Sequence, residues 1–454
     1  MSTIAQQQAL LRPSRNKSAK LTLLPFVAAT YFMVAGGPYG LEDIVHMTGF
    51  KVALLILLIT PVLWSVPTAL MVSELASALP EEGGFYVWVR RGMGAFWGYQ
   101  EVWLTLAGSI FEMALYPNLF VDYLGHFAPA LTIGNRGMWL GLGMILVCTL
   151  WNLLGARAVG DASTLMSILL LTPFAVLTVW GIAHRGAGMH SAAPAMPHEH
   201  VDILGAVLIA MWNYMGWDNT STVAGEVARP QKTYPRGMML AVGLVTLTYL
   251  IPVAGVSGAG IRPEAWSTGG WVDVGRQVGG EWLAIALTVG GILGAVGTFN
   301  ALMLSFSRLP AVMAEDGFLP KIFARRSAKN DSPNVAIVAC AVCWAGCMFL
   351  GFERLVILDV LLTGLSILLE FWALTALRIR EPELARPYRV PGGIIGTVAL
   401  GIPPLALMVL AGVRNHGEKI GPVSGLAVGA ALILLGPVLY FASRRFGNKR
   451  GVQI

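Results

Sequence analysis

LTLLPFVAATYFMVAGGPYGLEDIVHMT, residues 21–48, carries the reading on which the fold turns. The run is apolar and long enough to cross a bilayer, since about 20 apolar helical residues span the hydrocarbon core. In its middle stand Gly36-Gly37-Pro38-Tyr39-Gly40. Glycine is a poor helix former, and proline lacks the N–H and clashes with the preceding turn. The run therefore reads as a membrane helix in two limbs with a non-helical joint. Backbone polar groups at that depth must be satisfied by protein or by a wet cavity. The joint marks a hollow inside the protein.

A second run, 201–226, breaks in the same manner near Tyr214-Met215-Gly216-Trp217-Asp218-Asn219. Around these two, further apolar runs fall at 52–79, 96–124, 136–155, 158–183, 236–256, 281–308, 333–351, 354–378, 394–413 and 421–443. Numbered in chain order they give twelve spans, with the breaks in spans 1 and 6. An odd offset of five makes the two broken spans enter from opposite faces. Paired interrupted helices in two inverted halves are the best sequence pointer to a transporter's binding site. The expected organisation is a tail at 1–20, a first half at 21–183, a second half at 201–378, appended spans at 394–443 and a tail at 444–454.

Composition agrees. Of 454 residues 56% are apolar and 12% charged, where a soluble chain has about 25% charged; mean hydropathy is +0.67. A soluble enzyme or a nucleic-acid binder is excluded, and the net charge of +6 sits in loops rather than in a basic patch. With both termini inside, cytoplasmic segments hold 23 Lys and Arg and outer loops hold 8, the asymmetry of the positive-inside rule. Met1 to Lys20 reads as a cytoplasmic tail before a retained first helix, because no small-residue cleavage site follows. The short tails suggest a bacterial inner membrane. Cys148, Cys340, Cys343 and Cys347 lie inside apolar runs as packing residues. His184, His190, His198 and His200 form a solvated outer loop, so no metal site is expected.

Six segments resemble those of the amino acid–polyamine–organocation (APC) superfamily, and more narrowly its polyamine uptake transporters. They are GGPYGLED (36–43), SELASALPEEGGFYVWV (73–89), ALYPNLFVDYL (114–124), MWNYMGWDNTSTVAGEVARPQKTYP (211–235), AEDGFLPKIFARRS (314–327) and LEFWALTALRIREPELARPYRVPGG (369–393). The resemblance implies an all-α polytopic protein of about twelve transmembrane helices. It also implies a five-plus-five inverted repeat of the LeuT type with helices 1 and 6 discontinuous, a central site between spans 1, 3, 6 and 8, and alternating access.

Acids at membrane depth cost at least ~2.5–3.5 kcal/mol each and are functional candidates by default. They are Glu101 and Glu112 in span 3, Asp218 at the second break and Glu370 in span 10; Glu74 and Asp161 lie nearer the cytoplasmic ends. Glu74 reads as a structural partner of basic loop residues. Asp218 reads as an ammonium ligand or as a proton carrier. Glu112 shares a helix face with Tyr116 and Ser109, and Glu101, about three turns away, lies on that face nearer the cytoplasm. Glu101, Glu112 and Asp218 are the proton-coupling candidates. With no Lys or Arg near the centre of spans 3, 6 and 8, the cavity is electronegative and suits a cation. Aromatic groups complete such a site through cation–π contact: Tyr39, Trp212, Tyr214 and Trp217 at the breaks, with Phe299 beside Asn300 in span 8. Gly36, Gly37, Pro38, Gly40 and Met215 supply the opened backbone.

Leu41 begins the outer limb of span 1, where free N–H groups favour an anion. Pro38 supplies none, and Glu42 and Asp43 follow at once. Glu42 and Asp43 read either as complements to the helix end or as a cation-attracting vestibule. No lysine occurs in span 5, so the lysine-based coupling of some relatives does not apply, and proton symport through a carboxylate is expected. Ser305 and Ser307 keep sodium open. The expected function is import of a small organic cation: a polyamine such as putrescine or spermidine, or a basic amino acid. The alternatives are a neutral or broad-specificity amino-acid permease or exchanger and, remotely, a transporter-like channel or sensor. An intramembrane enzyme lacks its nucleophile–base pair. No cofactor is implied beyond the proton gradient. The partners are a small-molecule substrate and the lipid bilayer, as monomer or homodimer.

Overall fold

The computed structural model describes residues 20–183, 201–263, 266, 269–348, 352–414, 419–420 and 423–448. The outer-loop histidines His184, His190, His198 and His200 lie outside the described residues. The chain is a multi-pass helical membrane protein. Among the described residues eight helices are long and apolar enough to cross a bilayer by length and composition. Spans 1, 4, 6 and 9 are short or interrupted. Besides helix, the described residues hold a two-residue hairpin, Lys419–Ile420 with Val423–Ser424, ahead of span 12 (Gly425–Asn448).

Span 1 is helical over Leu23–Val34 and resumes at Glu42. Between the limbs Ala35 is extended, and Gly37 and Gly40 take φ of 88° and 89°. The second limb ends at Gly49 (φ 71°), where the chain turns into span 2, which runs through a π-helical segment at Pro61–Ser65 and continues as Val66–Ala78. Span 6 is helical over Ile203–Asn213, turns at Gly216 in the left-handed region, and goes on as a tight 3-10 segment, Trp217–Glu226. The two joints touch. A Cβ on Gly216 would stand 2.3 Å from the carbonyl oxygen of Met33, so only glycine allows both this backbone angle and this approach.

Span 3 (Ala95–Phe127) is the central post and packs against spans 8 (Glu281–Phe306) and 10 (Phe352–Arg380). Span 5 (Ala156–Ala183) and span 7 (Pro230–Val256) flank the first limb of span 1. Span 4 (Asn135–Asn152) and span 9 (Asn334–Cys347) close the sides. The outward faces carry large apolar side chains, among them Leu146, Leu150, Leu165, Ile168 and Val179. In water such a belt would be unstable; in lipid it is the expected surface. Buried share is lowest in span 11 (Gly393–Arg414) and span 12, which sit at the periphery.

The face at which spans 2 and 10 end, termed inner from its basic loops, is tied by ion pairs. Glu74 is fully buried and accepts two bonds from Arg378 (2.7 and 2.5 Å) and one from the Val390 N–H (2.7 Å), with Arg386 at 3.2 Å. Glu74 thus has the structural role its position suggested, with Arg378 of the last turn of span 10 as its main partner and Arg386 of the following loop beside it. Glu82 pairs with Arg326 (2.7 Å) and Glu226 with Arg308 (3.1 Å). Burial pushes the Glu82 carboxyl above the usual carboxylate range, against the pull of Arg326.

Candidate functional site

Where the two joints meet lies a narrow chamber of ≈ 40 Å³. Its walls come from the two broken spans and from spans 3 and 8. Span 1 gives Val34, Gly36 and Tyr39; span 3 gives Glu112, Tyr116, Leu119 and Tyr123; span 6 gives Trp212, Asn213 and Met215; span 8 gives Gly291, Gly294, Ala295 and Thr298. Six residues singled out from sequence therefore share one hollow: Gly36, Tyr39, Glu112, Tyr116, Trp212 and Met215. The Tyr116 hydroxyl faces the Glu112 carboxylate at 3.3 Å, one helical turn away.

Sequence reading passed over Asp359 in span 10. It is buried, receives a hydrogen bond from Thr363 (2.9 Å) and another from the Trp212 indole, and lies within electrostatic reach of Glu112. Trp212 thus joins the chamber to a carboxylate pair behind it. The signal that marked Glu370, a lone acid inside an apolar run, was equally present in VILDVLL (356–362). Tyr123, Asn213 and Thr298 were passed over too, because nothing in a single sequence shows which face of a helix turns to a cavity.

The other candidates sit around the chamber. Tyr39 donates to the Leu287 carbonyl (2.5 Å) and packs edge-on against Tyr123 and Phe174. The Pro38 carbonyl accepts from Trp271 (2.8 Å), and that of Gly40 from Asn213 (3.3 Å). Gly37 packs against Leu170. Tyr214 donates to the Leu57 carbonyl (2.8 Å) and Trp217 is fully buried. Phe299 packs on Trp344, and Asn300 accepts from Asn152 at 2.7 Å. Ser305 is engaged with Asn219 and Thr222, both at 3.1 Å.

Asp218, Glu101 and Glu370 do not line the chamber. They form a group beside it, where Glu101 and Glu370 feel the charge of Asp218 and Glu370 that of Glu101, while the charge of Asp218 also reaches Glu112 in the chamber wall. The described residues put no lysine or arginine among them. The two buried arginines, Arg308 and Arg378, stand at the inner face in the ion pairs already given.

Glu42 decides between the two readings of the outer limb. Its carboxylate is buried, not in a vestibule. It accepts from the N–H of Gly40 (2.6 Å) and of Gly269 (3.2 Å), and the Tyr123 hydroxyl lies at 3.5 Å. The helix end that would attract an anion is already filled by the protein's own carboxylate. Above it Tyr123 also borders a wider outer hollow of ≈ 420 Å³, edged by Asp122 and His126.

Residues 26–433 match the model of the family described as "Amino acid permease". A probable polyamine transporter of Arabidopsis thaliana is 33% identical over 96% of this chain and 87% of its own. Polyamine transporter PUT1 of Oryza sativa subsp. japonica is 34% identical over 95% of this chain and 81% of its own. A second probable polyamine transporter of Arabidopsis thaliana is 36% identical over 93% and 87%.

Proposed function

The chain belongs to the amino acid permease family, and from that premise we propose that it imports a polyamine or a similar small organic cation by proton symport. The observation that carries the substrate class is the acidic chamber. Glu112 lines it, Asp359 stands behind Trp212, and no described lysine or arginine offsets them. An ammonium group fits between Glu112, Tyr116 and the Trp212 face through a charge-assisted hydrogen bond and a cation–π contact. The names of the plant relatives support the same class. The amino-acid reading is weaker, because the Gly40 N–H that a substrate carboxylate would need is held by Glu42 at 2.6 Å.

Proton coupling is preferred over sodium. Ser305 and Ser307, the hydroxyls a sodium site would draw on, are spent on Asn219, Thr222 and the Leu304 carbonyl. We further propose two inverted halves, 21–183 and 201–378, that alternate access to the chamber. We propose that both termini lie on the cytoplasmic side of a plasma membrane, a reading the charge asymmetry supports.

The test is competition in proteoliposomes. Labelled spermidine uptake should saturate, rise with an inward proton gradient, and be displaced by putrescine or spermine but not by neutral amino acids. Displacement by neutral amino acids with no effect of polyamines would replace this reading with the amino-acid permease.

A further inference from the structure

We propose that Glu101, Asp218 and Glu370 together form the coupling-proton site of this protein, outside the lining of the chamber that takes the amine and linked to it through Asp218 and Glu112. The proposal rests on the symport reading above and names the site that reading needs.

Three elements converge on the group: span 3 brings Glu101, the 3-10 segment of span 6 brings Asp218, and span 10 brings Glu370. Their exposures are 0%, 2% and 0%. Oxygens are left over on all of them. Both carboxyl oxygens of Glu370, Oε2 of Glu101 and Oδ1 of Asp218 are buried without a partner. A buried carboxylate in a native protein is paired or bonded, so orphaned oxygens on three neighbours mark a missing cation. The Ser366 hydroxyl donates to Glu101 and shares a 2.9 Å bond with Thr105, which leaves the second oxygen of Glu101 open towards its neighbours.

Among the described residues no other charge serves the group. Span 3 adds Glu112 and span 10 adds Asp359, both acids. Glu74 of span 2 is tied to Arg378 and Arg386. Span 8 has no titratable side chain between Glu281 and Arg308; Arg308 is bound to Glu226. Arg90 and Arg91 of the inner helix Phe85–Met93 are held by Asp316 and Glu381. Glu82 holds Arg326. Spans 4, 9, 11 and 12 carry Asp, Glu, Lys, Arg or His only towards their ends, Arg136, Arg414 and Arg444 among them. None of the three carboxyls lines the chamber that takes the amine, and the cation proposed for them is a proton.

The group is also placed to release it. Asp218 rides on the segment whose inner end is pinned by the loop before Phe85, through Gly83 N–H to the Thr222 carbonyl (2.9 Å) and Phe85 N–H to Ser221 (3.2 Å). Gly84 lies so close to Ser221 that a Cβ there would overlap it. Moving that loop frees the segment and opens the carboxyls to inner water. In each cycle hydronium from the outer side gives one proton to a carboxylate oxygen, and the resulting O–H gives it up to water inside. No redox partner is involved.

The experiment compares wild type, Glu370→Gln and Glu101→Gln in proteoliposomes, with spermidine affinity measured on the purified proteins at two pH values. Both variants are expected to bind spermidine within about two-fold of wild type and to exchange it across the membrane. They should lose at least ten-fold of the accumulation that a proton gradient drives. Accumulation that still follows the gradient overturns the proposal. So does a ten-fold loss of spermidine affinity with the gradient response intact, which would make the group a second ammonium subsite. If a Gln variant fails to fold, Ser366→Ala keeps all three carboxyls. It should move the pH midpoint of uptake by at least half a unit, and an unmoved midpoint overturns the proposal. Wild type that binds no amine at all would instead sink the polyamine reading, a separate outcome.

Discussion

At the residue scale the account turns on which carboxylate meets which partner. Glu112 lines the chamber and Asp359 stands behind Trp212. Glu112→Gln removes a charged acceptor, and hydrogen bonds to charged groups contribute about 1.5–3 kcal/mol. Spermidine affinity should fall by roughly ten-fold or more, read by calorimetry. Asp359→Asn should weaken binding less, since the Trp212 indole lies between. Glu42→Gln makes a different prediction. It removes a carboxylate oxygen from Gly40 or Gly269 and lowers the negative charge at the outer limb. Neutral amino acids should then inhibit amine uptake more strongly than in wild type; unchanged inhibition would show that Glu42 does not guard that helix end. Lone acids in apolar runs were legible as candidates from sequence alone. Their sorting into a chamber wall, a sealed inner group and an outer limb was not, because it depends on the rotation of spans 3 and 10.

At the element scale, the two interrupted helices were legible because glycine, proline and polar residues inside apolar runs leave few alternatives. Gly216 shows why the break is conformational rather than a kink: it has φ 94° and lies against Met33. Gly216→Ala should cost more than about 1 kcal/mol, since alanine at positive φ is strained and the Met33 carbonyl must move. Thermal unfolding in detergent measures it. Asp202 begins the outer limb of span 6, accepting from the Gly205 N–H (2.9 Å) and from Arg414 (2.7 Å). The Arg414 guanidinium, then that N–H, holds the Asp202 carboxyl below its usual range. A depressed carboxylate contributes stability above its unfolded pKa that disappears as pH falls through the folded one. Asp202→Asn should flatten this acid limb by no more than about 1 kcal/mol, because the pair is exposed. The 3-10 form of Trp217–Glu226 was not legible in advance. It is set by tertiary bonds, Gly83 to Thr222 and Leu21 to Glu226 (2.9 Å each), that join parts of the chain far apart in sequence.

At the scale of the whole molecule, charge is sorted by depth. Arginine–carboxylate pairs lie at the two faces, the most buried of them at the inner one, acids without a described basic partner lie at mid-depth, and apolar side chains face lipid. The Glu74–Arg378 pair is the most buried of these locks, with side chains 0% and 2% exposed. Glu74→Gln leaves Arg378 buried without its counter-charge and should destabilise the protein by about 3–5 kcal/mol. A loss below about 1 kcal/mol would mean the pair is opened readily as part of the cycle. The twelve spans and their order were readable from apolar length and basic loops. The outer helix Gly270–Gly279, which reaches the first joint through Gly269 and Trp271, was not, because its function there comes from two contacts across the molecule.

The most direct test of the central claim is a cryo-electron microscopy map of the protein with spermidine bound. The account predicts density in the chamber with an ammonium nitrogen about 2.7–2.9 Å from a Glu112 oxygen and the carbon chain against Trp212. Spermidine density that leaves Glu112 untouched, or its absence from the hollow between Tyr39, Tyr116 and Met215, would contradict it.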